Sequence, residues 1–333
     1  MCRVPGRHRQ RPMPAGRRPL LTIAIPAYNR AAFLRRCLES VLSQATDDIE
    51  VLVSDDSTSD APGVLARELL ETSGTRSAYV RNVPGKGMAA NWNECVRRST
   101  GRYVLVLHDD DFLYSEAVSV MVEECRRMDW DVGLFDVDVV DEHDTRIRRR
   151  RRTHRRRHLP PAEALGRVLS HSSFVRFPGM VVSRAAYDAV GPFSETIGPA
   201  ADLEMWTRLF QRYGLRTFPG RTAAYRVHRE ALTSQMWQPA VVMEVDALFS
   251  RVARHGLLSR RQIERCRATW FHRFILAGAV RQLRHGTGER AREILGLFDM
   301  PQLESLRRPL TWTCLRTALS LRLVVPANGT SGR

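Results

Sequence analysis

Three consecutive aspartates directly after a strongly apolar segment constrain this chain more than any other feature of its sequence. Residues 103–107 are apolar, which predicts a buried strand, and His108 leads from them into Asp109, Asp110 and Asp111. In open α/β sheets, ligands bind beyond the carboxyl ends of the strands. Carboxylate oxygens suit Mg²⁺ and Mn²⁺, which bridge carboxylates to substrate phosphates. The alternative is an acidic turn whose aspartates cap the following helix.

Two more apolar segments, residues 20–25 and 49–53, also run into polar turns. The turn residues of interest are Pro26, Ala27, Tyr28, Asp55 and Asp56. Segments with helical periodicity follow the three strands, at 31–44, 61–73 and 114–128. Strands that alternate with helices predict βαβ units and a parallel sheet, so the three polar strand ends should meet at one edge.

Taken together, these segments resemble glycosyltransferase family 2. The similar stretches occur in the family's order, at 22–30, 51–60, 87–93, 101–111, 190–193, 202–209 and 225–228. The resemblance implies the α/β GT-A fold, a Rossmann-like, mostly parallel sheet flanked by helices. It also implies an enzyme that moves a sugar from a nucleoside-diphosphate-sugar donor to an acceptor hydroxyl. The sequence does not identify the sugar, the base or the acceptor.

The resemblance assigns a divalent cation, Mn²⁺ or Mg²⁺, to the acidic strand end. Asp110 matches the last acid of the family's D-x-D signature, and Asp109 and Asp111 flank it. His108 stands where the first aspartate of that signature usually is. We expect Asp110 and Asp111 to bind the metal, with His228 as a third contact, and Asp109 to face the donor. A purely structural role is the alternative for His228.

The donor nucleotide is expected to lie along the other two strand ends. Asp55 matches the position that contacts the base, with Asp56 beside it, and Pro26, Ala27 and Tyr28 match the loop along base and ribose. Helix capping is the alternative for Asp55 and Asp56, and core packing is the alternative for Tyr28.

A glycine pair around Lys86 precedes the helix that carries Asn91. Helix N-termini that follow glycines can hold phosphate, so we also expect Asn91 at the donor site.

Asp202 matches the family's general base. It lies at the start of a predicted helix, where the helix dipole lowers the pKa of a carboxylate and keeps it ionised. Capping of that helix is the alternative role, and Glu204 is the alternative base. A single base implies an inverting, single-displacement reaction.

The net charge of +16 comes almost entirely from two arginine-rich segments. Residues 1–19 hold six arginines and residues 146–157 hold nine, both without acids, which leaves 37 basic against 36 acidic residues elsewhere. No aromatic side chains interleave the second run, which argues against nucleic acid. Arginine clusters attract anionic membranes by about 1 kcal/mol per residue, so peripheral membrane contact competes with a solvated loop.

The predicted organisation is a disordered basic N-terminus at 1–19, a GT-A domain at 20–235 with an insertion at 142–158, and a helical C-terminal extension at 236–333. Six scattered cysteines without a C-x-x-C pair, and no apolar run of membrane-spanning length, favour the cytoplasm, peripheral to the inner face of the membrane.

Four other functions fit parts of the sequence. They are a nucleotidyltransferase, a processive polysaccharide synthase, an inactive sugar-nucleotide-binding protein, and an arginine-rich protein that binds membranes or nucleic acids.

Overall fold

A computed structural model describes residues 18–148, 155–171, 173–228 and 236–306, together with residues 312, 314, 316 and 317. Nearly all of the predicted basic N-terminus, the centre of the arginine-rich insertion and most of the last 27 residues lie outside these ranges. The predicted boundary at 235 also falls outside them.

The first part of the chain alternates strands and helices, as predicted. Its elements are β1 (Leu21–Ala27), α1 (Ala31–Leu42), β2 (Ile49–Asp55), α2 (Ala61–Ser73), β3 (Ser77–Arg81), α3 (Met88–Arg98) and β4 (Tyr103–Val106). The half-buried β3 was not predicted, because its five residues contain no apolar run or clear alternation.

The middle of the chain completes the sheet. Its elements are β5 (Phe112–Leu113), α4 (Ala117–Arg127), β6 (Val132–Val140), β7 (Arg146–Arg148), β8 (Arg157–Leu159), α5 (Pro161–Ser170), β9 (Met180–Ser183), α6 (Arg184–Val190), α7 (Ala201–Tyr213) and β10 (Leu215–Arg226). A 3₁₀ turn, Phe177–Gly179, leads into β9. Both ends of the arginine-rich run therefore form short strands, while their described side chains remain largely exposed.

The C-terminal part is helical, as predicted, with α8 (Pro239–Arg254), α9 (Arg260–His285) and α10 (Gly288–Gly296). A serine cap starts α9, because Ser259 and Gln262 form a reciprocal capping box. Among the helices that the structure describes, none is long and apolar enough to cross a membrane.

The described strands form one sheet in the order β3-β2-β1-β4-β9-β6-β10-β5, with β7 paired to β6 and β8 to β10. The half that carries the predicted polar ends, β3-β2-β1-β4, is entirely parallel. The other half is mixed, since β9 runs antiparallel between β4 and β6 while β6 and β10 are parallel. Ala27 pairs with Asp55, so the ends of β1 and β2 are level.

The sheet separates two apolar cores, because successive side chains of a strand point to opposite faces. Ile23 and Ile25 of β1 pack with α1, α2 and α4. Ala24, between them, belongs to the second core, which includes α3, α5 to α7 and the C-terminal helices. The central strands are thus buried on both faces, which accounts for their continuous apolar sequences.

The close packing of β4 on β1 generates a prediction about Gly101. A Cβ atom on Gly101 would lie 2.6 Å from the backbone N of Thr22 and 2.9 Å from the backbone O of Tyr103. Neither backbone atom can move without disturbing the sheet, so Gly101→Ala should lower the free energy of unfolding by about 1–3 kcal/mol. Urea denaturation followed by tryptophan fluorescence measures it.

The matched control is Gly166→Ala in α5, where no atom lies within 4 Å of an added Cβ. It should raise the free energy of unfolding by roughly 0.5–1 kcal/mol, because alanine is the better helix former. Equal effects of the two substitutions would contradict the packing explanation.

Candidate functional site

The three aspartates after β4 lie at the carboxyl edge of the parallel half of the sheet and are almost completely buried. One oxygen of Asp109, Oδ2, accepts a hydrogen bond of 2.8 Å from the backbone N–H of Tyr28. This bond joins the end of β4 to the loop after β1. The predicted convergence of these strand ends is therefore observed directly.

Arg30 supplies a positive charge to this acidic cluster. Its Nη2 donates to Asp109 Oδ1 at 2.6 Å, and its Nη1 donates to Asp110 Oδ2 at 2.5 Å. One guanidinium thus spans two adjacent carboxylates. Charge-assisted bonds of this kind are among the strongest that side chains make.

The end of β10 contacts the cluster from the other side. The backbone N–H of Arg226 donates to Asp111 Oδ1 at 2.9 Å, and its Nη1 donates to the carbonyl of Asp110 at 2.6 Å. The same guanidinium pairs with Asp144. His228 Nε2 lies 3.0 Å from Asp110 Oδ2, so the structure brings this predicted metal contact to the cluster.

Burial and mutual repulsion raise the pKa of Asp109 and that of Asp111. Burial would also raise the pKa of Asp110, but the hydrogen bond with His228 and the charge of Arg30 lower it to about 2. Asp110 therefore loses its proton most readily of the three, and a further positive charge would favour ionisation of the other two.

The donor atoms at this edge fit a divalent cation. Ligand atoms of His108, Asp110 and Asp111 lie within 4.8 Å of one another. Asp111 Oδ2 and His108 Nε2 are buried and have no hydrogen-bond partner among the described residues. Burial lowers the pKa of His108 to about 4, so its imidazole is neutral and able to bind metal at pH 7. The carboxylate oxygens suit Mn²⁺ or Mg²⁺, and the imidazole nitrogen favours Mn²⁺ of the two, because Mg²⁺ prefers oxygen ligands.

Asp55 lies at the end of β2 and is fully buried. Its Oδ1 accepts from the backbone N–H of Ser57 at 2.9 Å. Its Oδ2 accepts from Tyr79 Oη at 2.7 Å and from Arg81 Nη1 at 3.0 Å. Tyr79 and Arg81 belong to the unpredicted strand β3, so this edge strand fixes the orientation of the predicted base contact.

Asp56 orders the loop between β3 and α3. Its Oδ2 accepts from the backbone N–H groups of Lys86 and Gly87, at 2.9 and 2.7 Å, and its Oδ1 accepts from Asn82 at 2.8 Å. The expectation that this glycine pair cradles a phosphate is wrong for these two amides, because Asp56 already occupies them. Asn91 is buried behind the loop, where its Oδ1 accepts from Asn82.

The loop after β1 leaves one aromatic ring exposed. Pro26 and Ala27 are the last residues of β1, and Tyr28 follows with 53% of its surface accessible. Asn29 adopts a φ of 58° and accepts hydrogen bonds from Thr58, which ties the loop to the end of β2. Core packing, the alternative for Tyr28, is therefore wrong, because more than half of its surface is exposed.

Asp202 lies in the first turn of α7, and its Oδ1 accepts from the backbone N–H of Leu203 at 2.6 Å. One helical turn on, Trp206 shares its face of the helix. Trp206 packs on Phe177 with ring centroids 5.1 Å apart, and Phe177 packs on His108 at 4.4 Å. These aromatic contacts connect α7 to the end of β4.

The expected lowering of the Asp202 pKa by the helix dipole is wrong. Burial raises the pKa of Asp202 to about 6, and the hydrogen bond from Leu203 and the charge of Arg176 offset only part of that effect. A carboxylate with this pKa is still mostly ionised at pH 7. It is also a stronger base than an ordinary aspartate. Glu204, the alternative base, has both oxygens bonded to Arg208.

The sequence analysis assigned no role to Arg30 or Arg226. Adjacent buried acids require cations nearby. Both arginines follow or end strands at the predicted edge, so charge balance could have identified them. Tyr79 and Arg81 gave no comparable signal, because their strand was itself not predicted.

Comparison with known proteins assigns the chain to a family. The sequence matches the family described as "Glycosyl transferase family 2" over residues 22–191, slightly more than half of the chain. "Uncharacterized protein MT1568" of Mycobacterium tuberculosis (strain CDC 1551 / Oshkosh) is 31% identical over 221 residues, 63% of this chain and 67% of that protein. Chondroitin synthase of Escherichia coli is 37% identical over 110 residues, 33% of this chain but only 16% of the synthase.

Solved structures share the fold at low identity. The TarS 1–349 structure from S. aureus in complex with UDP-GlcNAc has a TM-score of 0.63 and 13% identity, and the match covers 91% of this chain and 89% of that one. The mannosyltransferase PcManGT from Pyrobaculum calidifontis, in complex with GDP-Man and Mn²⁺, has a TM-score of 0.55 and 16% identity, covering 91% and 86%.

The three hydrogen bonds to Asp56 generate a prediction about the loop 82–87. Asp56→Asn should destabilise the protein by about 1.5–3 kcal/mol, because an amide cannot accept from both the loop and Asn82. Amide hydrogen exchange at Lys86 and Gly87 should accelerate in the variant. Chemical denaturation gives the stability, and exchange mass spectrometry locates the change.

Asp60→Asn in the same turn is the matched control, since that side chain is 94% exposed. It should leave both measurements nearly unchanged. Unaltered exchange at Lys86 and Gly87 in the Asp56 variant would show that another contact orders the loop.

Proposed function

The chain belongs to glycosyltransferase family 2 and is a glycosyltransferase, and on this premise we propose a metal-dependent, inverting reaction. In this reaction the protein moves a sugar from a nucleoside-diphosphate donor to an acceptor hydroxyl. Solved relatives of the fold that hold UDP-GlcNAc, or GDP-Man with Mn²⁺, support a nucleotide-sugar donor.

The observation that carries the proposal is the buried acidic cluster at the end of β4, bonded to the loop after β1. Asp109 accepts from the backbone of Tyr28, and Asp110 keeps a low pKa. Three adjacent buried carboxylates concentrate more negative charge than the described arginines at this edge neutralise. A divalent cation that binds a diphosphate would balance the remaining charge.

For the donor, we propose that Asp55 accepts an N–H of the base, while the exposed ring of Tyr28 lies along the base and ribose. Pro26, Ala27 and Asp109 form the wall beside them. Asp56 and Asn91 support the donor site without contacting the donor directly. Asp56 holds the loop 82–87 in place, and Asn91 packs behind that loop.

For the metal, we propose Asp110 and Asp111 as carboxylate ligands, with His228 as the neighbouring contact predicted from the sequence. His108 adds a nitrogen that the sequence analysis left unassigned. A divalent cation bound there would neutralise the charge that develops on the leaving diphosphate. The buried, partnerless Asp111 Oδ2 supports this position.

For the acceptor, we propose that Asp202 removes the hydroxyl proton as the sugar is transferred. A carboxylate with a pKa of about 6 is ionised at neutral pH and is basic enough to share the proton in the transition state. One base without a second carboxylate nucleophile implies a single displacement, and hence inversion.

We also propose a cytoplasmic location, with the arginine-rich segments directed to an anionic membrane surface. The unpaired cysteines in the described part of the chain suit a reducing compartment.

The metal site generates a prediction about donor binding. UDP or GDP should bind much more weakly in chelator than in Mn²⁺, because bare carboxylates repel a diphosphate. Asp110→Asn should abolish the Mn²⁺-dependent part of the affinity, whereas Asp129→Asn, at a 56% exposed position, should not. Isothermal calorimetry measures both. Equal affinity with and without Mn²⁺ would refute metal dependence.

The assignment of Asp202 generates a prediction about rate and pH. Asp202→Asn should lower turnover by about 10²–10⁴-fold and leave donor affinity nearly unchanged, because the base faces the acceptor. In the unmodified protein, turnover should rise with pH through about 6, as Asp202 loses its proton, and then level off. The Asn variant should lack that rise.

The measurement is release of nucleoside diphosphate from whichever donor binds, with product stereochemistry determined by NMR. Glu204→Gln is the control, since that carboxylate is committed to Arg208. A loss of donor affinity that matches the loss of turnover would make Asp202 a structural residue. Retention at the anomeric carbon would exclude single displacement.

A further inference from the structure

One guanidinium occupies the place where the acidic cluster needs positive charge. We propose that Arg30 is an exchangeable counterion. It neutralises Asp109 and Asp110 when no metal is bound, and it releases Asp110 when a divalent cation binds. The inference rests on the metal site proposed above and concerns how that site is loaded.

The geometry of Arg30 suits a cation that can leave. Its two terminal nitrogens each bond to a different carboxylate, so it does not form the two-bond pair with one carboxylate that holds arginine most firmly. Its Nε is buried without a hydrogen-bond partner among the described residues, and 20% of the side chain is accessible. The guanidinium is therefore incompletely bonded at the open edge of the sheet.

Arg30 and a metal would compete for the same carboxylate. Asp110 Oδ2 already accepts from Arg30 Nη1 and bonds to His228 Nε2. Asp110 is also one of the three residues whose ligand atoms cluster within 4.8 Å. Like charges a few ångströms apart in a poorly solvated site repel strongly, so the guanidinium cannot keep its place beside a divalent cation.

Asp109 is held differently from Asp110. The backbone N–H of Tyr28 binds its second oxygen, so Asp109 keeps a partner whether or not Arg30 moves. Arg30 precedes α1 by one residue, in the loop that we assign to the donor. A guanidinium displaced from Asp110 is thus next to the space for the anionic diphosphate, which supplies it with a new partner.

The exchange predicts coupled binding. Metal alone has to displace Arg30, whereas metal together with a nucleoside diphosphate gives Arg30 another anion. Each ligand should therefore strengthen the other, and this coupling is reciprocal. A purely structural Arg30 predicts the opposite sign, because its removal would disorder the carboxylates and weaken metal binding.

The experiment titrates Mn²⁺ into the full-length protein without nucleotide and follows unbound Mn²⁺ by electron paramagnetic resonance. Arg30→Gln should bind Mn²⁺ about tenfold more tightly than the unmodified protein, since hydrogen bonds to charged groups have this order of strength. Arg30→Lys keeps the positive charge but has one terminal nitrogen instead of two. Its Mn²⁺ affinity should therefore lie between those of Arg30→Gln and the unmodified protein.

Arg35→Gln is the matched control. It removes the same charge from α1 at a position that is 50% exposed and pairs with Glu39, so Mn²⁺ affinity should not change. In thermal unfolding, Mn²⁺ should raise the Tm of Arg30→Gln more than that of the unmodified protein. If Arg30→Gln does not fold, Arg30→Lys carries the test.

A second titration adds UDP or GDP at saturating concentration. The strengthening of Mn²⁺ binding by nucleotide should be smaller in Arg30→Gln than in the unmodified protein. Unchanged or weaker Mn²⁺ binding in the Arg30 variants would overturn the counterion role while leaving the metal site intact. Absence of Mn²⁺ binding in every variant, even with nucleotide, would overturn the proposed metal site and this inference together.

Discussion

Burial of three adjacent carboxylates at the end of β4 is the constraint on which the rest of the site depends. A buried carboxylate without a partner is strongly destabilising. Each aspartate therefore bonds to a different part of the chain. Asp109 bonds to the loop after β1, Asp110 bonds to the side chains of Arg30 and His228, and Asp111 bonds to the end of β10. The carboxylates thus organise three separate strand ends into one site.

A second constraint is the burial of the aromatic side chains beneath this cluster. His108 stacks on Trp92 with ring centroids 5.4 Å apart and packs on Phe177, which in turn contacts Trp206 of α7. Apolar contact thereby fixes the helix that carries Asp202 relative to the turn after β4 that carries Asp110. The position of the proposed base follows from core packing, and that packing is also what raises its pKa.

The parts of the fold that could be predicted were those with a local cause. Apolar runs at β1, β2 and β4 indicated buried strands, and their alternation with helices placed Asp55 and Asp110 at one edge. The orientation of side chains there had no local cause. Whether Asp56 faces a ligand or the loop 82–87 depends on a strand, β3, whose five residues carry no apolar pattern.

The pKa of Asp202 likewise depends on one effect that the local sequence reveals and on another that it does not. Its place at a helix start was visible in the sequence, so the dipole effect could be anticipated. Its burial depends on contacts between α7 and residues far away along the chain, and burial is the larger effect. Arg30 was partly predictable. Its proximity to the acids follows from the topology, but only the structure shows that it bridges two carboxylates.

The bond between Asp111 and the backbone of Arg226 joins residues 115 positions apart. The parallel strands β1 to β4 pair through neighbouring βαβ units and can assemble early, whereas contacts of such long sequence separation form late in folding. We therefore expect the acidic cluster to spend part of folding without its last partner. During synthesis, the ribosome must extend the chain through Arg226 before the site can close, and separating the two halves of the sheet would leave neither with a complete centre.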